Sequence, residues 1–468
     1  MKNSPHVVVI GAGISGLTTA YWLRRGGIGV TVLEREASAG GTMQTVREDG
    51  WLIEQGPNSA LETTPLFQEM FAGLGIERER AYADPSSDKR YILRDGHLHV
   101  LPLGPGTFLR TRLWTATGKL RLLKEPFVGR AENEESIAQF VERRLGREFL
   151  DYAINPFVAG VYAGDPGQLS VRSAFPKLYA LEEKYGGLIK GMIKGARERK
   201  QRAEKSKDRS KMFSFVQGMQ TFPDAIARSL EGHVRYRCAV KGFSRTNSSA
   251  IGTAGKYTVT GTENGTPFSV VGDAVVFSVP AYAASTLIRP HATNLASALD
   301  SVYYPPVAEV FLGYASTQIA RPLDGFGYLI PAVEKRWILG TIWSSSLFEG
   351  RAPAGCVALT TFVGGARQPE LAGLDDGELL RRVTGEIRSI LGAQGDPVFA
   401  RIIRWDKAIP QYNMGHTNVL DSVMSFENEH PGVYFCSNFK GGIAVGDCVM
   451  SGKATAERIQ KAYQISDI

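Results

Sequence analysis

One stretch near the N-terminus limits the fold more than any other: HVVVIGAGISGLTTAYWLRRGGIGVTVLERE, His6 to Glu36. Val7 to Ile10 is short, β-branched and without alternation, as expected of a parallel strand buried on both faces. Gly11, Gly13 and Gly16 then form G-x-G-x-x-G. Gly11 permits the tight turn, Gly13 lets the backbone approach a pyrophosphate, and Gly16 lets the following helix pack on the strand. That helix continues to Arg25, with its free N–H groups facing the phosphates, and stops at Gly26-Gly27. A second strand, Gly29 to Leu33, ends at Glu34, where a carboxylate can accept hydrogen bonds from both hydroxyls of a ribose. Strand, glycine turn, helix, strand and acid in this order predict a dinucleotide-binding α/β fold.

Composition excludes several alternatives. The chain has 468 residues, 43% of them hydrophobic and 22% charged, as in folded proteins of two or three domains. Cys238, Cys356, Cys436 and Cys448 are scattered and make no C-x-x-C pair, which argues against a disulfide framework and fits a reducing cytoplasm. No leader is expected, and no run of about 18 apolar residues suggests a transmembrane helix. The net charge is +7, and Lys194 to Lys211 alone carries +6. That run reads first as a solvated loop or helix end, and second as an attraction to anionic lipid or an acidic substrate. Without interleaved aromatics it does not point to nucleic acid. His97 and His99 alternate along a strand, but nothing nearby adds ligand character, so no metal is expected.

A second glycine pair, Gly40-Gly41 in VLEREASAGGTMQT, follows Glu34 closely. This pattern resembles the flavoproteins of the amine oxidase and desaturase superfamily, where the loop runs under the FAD pyrophosphate. The superfamily usually has Arg two residues before the glycine pair. Ser38 stands there in this chain, with Arg35 as a nearby substitute. Near the C-terminus, GVYFCSNFKGGIAVGDCVMSGKATAERI reads as a strand, a glycine turn and a helix from Asp447 to Ile459. In that superfamily the N-terminus of this helix meets the pyrimidine edge of the isoalloxazine. Amine oxidases usually carry Gly-Glu after the strand, whereas Ser437-Asn438 stands here, which argues against that branch.

Seven further segments narrow the resemblance: EQGPNSALETTP, KRYILRDGHLHVLP, NPFVAGVYAGDPGQLSVRSAFPKLYALE, LDGFGYLIP, LGTIWSS, VGGARQP and AIPQYNMGH. In order and over nearly the whole chain they are similar to the protoporphyrinogen oxidase family. The resemblance implies FAD as cofactor, held by Gly11, Ala12, Gly13, Ile14, Ser15, Gly16, Glu34, Arg35, Gly40, Gly41 and Thr42. It adds Gly56, Pro57 and Asn58, Val240 at the adenine, Trp405, and Ile443, Ala444 and Val445. It implies that Arg90 binds a propionate, that Leu323 and Trp343 sandwich the macrocycle, and that Gly164 brings backbone to the pocket. No catalytic base is demanded, because the hydride goes to flavin N5.

The fold class implied is α/β, with three parts. A Rossmann-like FAD-binding domain comprises 1–60, 211–281 and 405–468. A mixed α+β substrate domain comprises 61–90 and 282–404. A mainly helical, membrane-associated-type domain comprises 91–210. The apolar stripes of the helical part read as interior packing, and LPLGPGTFLRTRLW as the candidate for contact with the inner face of the cell membrane. GELLRRVTGEIRSIL reads as an amphipathic helix covering the substrate sheet. Implied partners are a tetrapyrrole, molecular oxygen and ferrochelatase, for a cytoplasmic monomer or homodimer. Coproporphyrinogen oxidation, an amine oxidase or desaturase, and a non-catalytic flavin binder are the alternatives.

Overall fold

The computed structural model describes residues 5–201, 210–246 and 256–463. Residues 202–209 of the basic run lie outside the described residues, past the helix Leu188–Gln201. The strand His6–Ile10 lies at the centre of a five-stranded parallel sheet, between Gly29–Leu33 and Ala274–Phe277. Val234–Arg235 and Val433–Phe435 form its edges, so residues from both ends of the chain build one sheet. Every residue from Val7 to Ile10 is buried, which explains the absence of alternation in the sequence.

The helices Ile14–Arg25 and Val445–Ala462 cross on one face of this sheet. Their approach depends on Gly452, where a Cβ would lie 2.7 Å from Thr18 Cβ. The same core takes in Phe67, Met70 and Phe71 from the helix Leu66–Leu74 and Phe213, Phe215 and Phe222 beyond the helical region. Residues 66–74 thus pack with the cofactor domain rather than with the substrate domain expected for 61–90. Residue spacing can show that a helix has an apolar face, but not which core receives it.

A seven-stranded mixed sheet forms the second layer. Its order is Phe399–Trp405, Val307–Ala315, Cys356–Gly364, Gly340–Ile342, Gly327–Leu329, Arg90–Arg94 and His97–Val100. The strand His97–Val100 and all but the first residue of Arg90–Arg94 fall inside 91–210, so this mainly helical range opens with strand. The helix Asp376–Leu391 covers one face, burying Leu379, Val383, Ile387 and Leu391 against Val310, Leu312, Leu359 and Tyr328. The other face looks toward the cofactor domain. Helices between Pro105 and Gln201 pack around Ile137, Phe140, Val158 and Tyr162, and a three-stranded antiparallel sheet, Cys238–Thr246, Lys256–Glu263 and Thr266–Gly272, carries Val240.

Candidate functional site

The glycine turn forms an anion cradle. Gly11 has φ +102°, and a Cβ there would lie 2.4 Å from the Ser278 carbonyl oxygen. A Cβ on Gly16 would lie 2.2 Å from the Gly11 carbonyl oxygen, so neither position accepts a side chain. Gly13 differs, because a Cβ there meets nothing within 4 Å. It faces open space at the start of the Ile14–Arg25 helix, which has no side-chain cap and no acid in its first turn. Uncapped N–H groups at a helix N-terminus beside open space fit a pyrophosphate.

The second glycine pair closes the cradle. The Gly40 N–H donates to the Ala12 carbonyl at 2.8 Å, and a Cβ on Gly41 would stand 3.3 Å from Gly13 Cα. Thr42 is exposed beside them, and its carbonyl oxygen is only 2.0 Å from where a Gly56 Cβ would be. This contact brings the loop Gly56, Pro57 and Asn58 against the cradle. Trp405 holds that loop from the sheet, its indole N–H donating to the Gln55 carbonyl at 2.8 Å.

Glu34 is buried and oriented. Its Oε2 accepts from the Ala12 N–H at 2.7 Å and its Oε1 from the Glu36 N–H at 2.9 Å. Backbone also joins Glu34 to Cys238, two residues before Val240, so Val240 stands at the same end of the cradle. Arg35 does not turn inward. It pairs with Glu36 at 2.9 Å on the surface, because an adjacent carboxylate offers it a nearer partner than the cradle does.

At the far end, Ile443 and Val445 are half-buried and Ala444 is the uncapped N-cap of the Val445–Ala462 helix. The preceding turn is fastened by Tyr412. Its buried hydroxyl donates to the Asn438 carbonyl and accepts from the Gly442 N–H at 3.0 Å. Tyr412 has no signature in the sequence, since its role depends on residues 26 and 30 positions away.

The sheet wall that faces the cradle follows from strand register. Directly paired residues share a face, so Arg90, Gly327, Ile342, Thr360 and Phe311 form one row, and Ile92, Leu329, Gly340, Phe362 and Glu309 form the next on the same face. Ile342, Leu329 and Phe362 are half-buried there. Trp343 and Leu323 are not part of this wall. Trp343 is fully buried, its ring 5.5 Å from that of Tyr91 and 6.4 Å from that of Tyr328, in the core under the Asp376–Leu391 helix. Leu323 packs against that same core. Trp343 directly follows the strand Gly340–Ile342 and lies on the opposite side of the sheet from Ile342, away from the face expected for it.

Arg90 is exposed on the cleft face, with its guanidinium over the Phe326 ring at 5.7 Å. Among the described residues no carboxylate pairs with it. Gly164 is buried, and a Cβ there would lie 2.6 Å from Gln411 Oε1.

A recess joins the two halves of the site. Leu52, Glu54, Asn58, Ile342, Ser344 and Arg351 line it with others, and it opens to solvent. Arg351 donates from Nη2 to Ser214 Oγ at 2.7 Å and lies 3.7 Å from Glu54 Oε1. Glu54 also accepts from the Thr45 hydroxyl at 2.6 Å and the Met219 N–H at 2.9 Å. Burial raises Glu54 to about 7, although Arg351 opposes the shift. Among the described residues no group of three His, Cys, Asp or Glu side chains could hold a metal ion.

The sequence profile of the family described as "Flavin containing amine oxidoreductase" matches residues 14–460. The chain belongs to this family. The mitochondrial protoporphyrinogen oxidase of Nicotiana tabacum is 34% identical, over 98% of this chain and 95% of its own length. The coproporphyrinogen III oxidase of Bacillus subtilis (strain 168) is 27% identical, over 96% of each. A crystal structure from Exiguobacterium sp. 255-15 superposes with a TM-score of 0.80 at 23% identity, covering 98% of this chain and 99% of its own. Membership makes the protein an FAD-dependent oxidoreductase, and the cradle described above fits that cofactor.

Proposed function

We propose that the protein oxidises protoporphyrinogen IX to protoporphyrin IX in haem biosynthesis, with oxygen as final acceptor and hydrogen peroxide as by-product. Bound FAD would supply the hydride acceptor. The carrying observation is the cleft face of the seven-stranded sheet, an apolar wall with Arg90, a cation without a carboxylate partner among the described residues, at its edge. Ile342, Leu329 and Phe362 offer the flat apolar surface a tetrapyrrole needs. Arg90 stands two strands from Ile342, roughly 10 Å across the sheet, with glycine between them at position 327. Its fork suits a propionate carboxylate. Asn58 and the Gly56–Pro57 turn would hold the flavin side of the cleft, and a macrocycle seated between the two half-buried walls would cover the reacting carbon.

The relatives named coproporphyrinogen III oxidase motivate the second reading. Coproporphyrinogen carries four propionates rather than two. Three further arginines near this face are already engaged: Arg94, on the face of Arg90 and Ile92, by Glu148, Arg351, in the recess, by Ser214 and Glu54, and Arg401, in the row of Phe311, by Glu48. A single free cation on this wall, among the described residues, favours the substrate with fewer carboxylates. Turnover of both porphyrinogens, followed by porphyrin fluorescence, tests this. A higher kcat/KM for coproporphyrinogen would overturn the assignment, and no turnover of either would overturn the function.

Membrane contact is part of the same proposal. Leu103, Leu109, Leu120, Leu123 and Phe127 are all exposed, Phe127 by 88%, and Arg110, Arg112 and Lys124 are exposed among them. Apolar side chains ringed by basic ones suit an anionic bilayer surface. No helix among the described residues is long and apolar enough to cross a membrane. Flotation with anionic vesicles, lost in Leu109→Ser/Phe127→Ser, is the expected result.

A further inference from the structure

Glu309 is the third residue of the Val307–Ala315 strand, on the face that looks toward the cofactor domain, between Phe362 and Ile403 in the register. It is 2% exposed, and its Oε1 has no hydrogen-bond partner among the described residues. A buried carboxyl oxygen without a partner costs free energy that a leucine would not, so its presence calls for a reason. Trp405, two residues beyond Ile403 and on the same face, holds the Gln55 carbonyl, which places the loop starting at Glu54 over this part of the sheet. Burial and then the charge of Glu54 hold the Glu309 carboxyl well above the usual carboxylate range. No cation among the described residues offsets this directly; Arg351 acts on Glu54.

Porphyrinogen oxidation creates a need for such a group. In each two-electron round, the C–H electron pair of a meso carbon leaves as hydride to the flavin. An N–H bond of a pyrrole breaks, its electron pair stays to form the new π bond, and a proton must leave the dry cleft. We infer that Glu309 relays this proton to Glu54, accepting it on the free Oε1 while giving up its own proton from the other oxygen. The O–H bond formed balances the one broken, so Glu309 ends each round neutral. Glu54 takes the proton on its carboxylate and releases it through the solvent-facing recess it shares with Arg351 and Asn58. This inference rests on the porphyrinogen oxidation proposed above.

Glu309→Gln tests it, since the amide keeps the shape but cannot relay. With protoporphyrinogen the variant is expected to lose at least about ten-fold in kcat, the lower end of what a positioned proton-transfer group contributes or below it. KM and FAD content should stay within about two-fold. Glu309→Asp, which retains an acid, should recover part of the rate. A second readout needs no substrate: infrared difference spectra of anaerobic photoreduction should show a protonated carboxyl band that shifts with flavin reduction and is absent in Glu309→Gln. A variant turning over at the wild-type rate, or a spectrum without that band, overturns the relay. If the wild type oxidises no porphyrinogen, the function fails instead, and the infrared result alone decides whether Glu309 is a neutral acid coupled to the flavin.

Discussion

Removing Arg144 should loosen one specific part of the molecule. Its side chain is completely buried, with Nη1 2.7 Å from Glu125 Oε1 and Nε 2.6 Å from Glu182 Oε2. Glu125 is equally buried and also accepts from the N–H groups of Leu188 and Ile189, at 2.7 and 3.1 Å, where the Leu188–Gln201 helix begins. One carboxylate thus joins the Leu122–Phe127 turn, which carries the exposed Leu123 and Phe127, to a helix start and to Arg144. Burial alone would raise Glu182, yet hydrogen bonds from Arg144 and Arg143 leave it below the usual carboxylate range. Arg144→Met keeps much of the volume and deletes the charge. It strands Glu125 without a counter-ion, which costs about 3–5 kcal/mol. Local opening should then become roughly 100- to 5000-fold more frequent, read as faster hydrogen exchange at Leu188 and Ile189. Flavin content should hardly change, because the cradle is in a separate core. The double variant Arg144→Met/Glu125→Gln should recover much of the loss, since a neutral amide oxygen still accepts from both N–H groups. Unchanged exchange in the single variant, or a double variant weaker than the single, would refute the reasoning.

Arg90→Ala should raise KM for protoporphyrinogen by roughly 10- to 100-fold, the worth of a charged hydrogen bond, with FAD retention unchanged in a titration of apoprotein. Ile342→Ala should raise KM with little loss of stability, whereas Trp343→Ala should cost about 3–5 kcal/mol in denaturant unfolding through the cavity it leaves. The reverse pattern would restore Trp343 to the wall. For Glu54, the folded pKa of about 7 lies above the usual 4.5. The folded state then binds more protons than the unfolded one between these values. The stability this contributes is present in full below pH ~4.5 and lost as pH rises through ~7. Glu54→Gln should flatten that decline in a series of urea midpoints from pH 5 to 8.

The sequence by itself determined the parts whose physics is local. Strand, glycine turn, helix and acid from His6 to Glu34 form one contiguous unit, so the cradle is legible in the order of residues alone, although the contacts that exclude a side chain at Gly11 come from Ser278 and Val279, far along the chain. The amphipathic helix covering the substrate sheet is legible for the same reason. Tertiary structure decided what depends on pairing across the chain. Which face of the sheet meets the cofactor is set by the register of strands more than 200 residues apart, and a step of one residue moves the wall from Trp343 to Ile342. The partners of Tyr412, Arg144 and Arg351 are likewise distant in sequence. The buried acid at Glu309 cannot be recognised in VAEVFLGYA, because a single glutamate in an apolar strand shows neither its burial nor its unpartnered oxygen until the sheets are assembled.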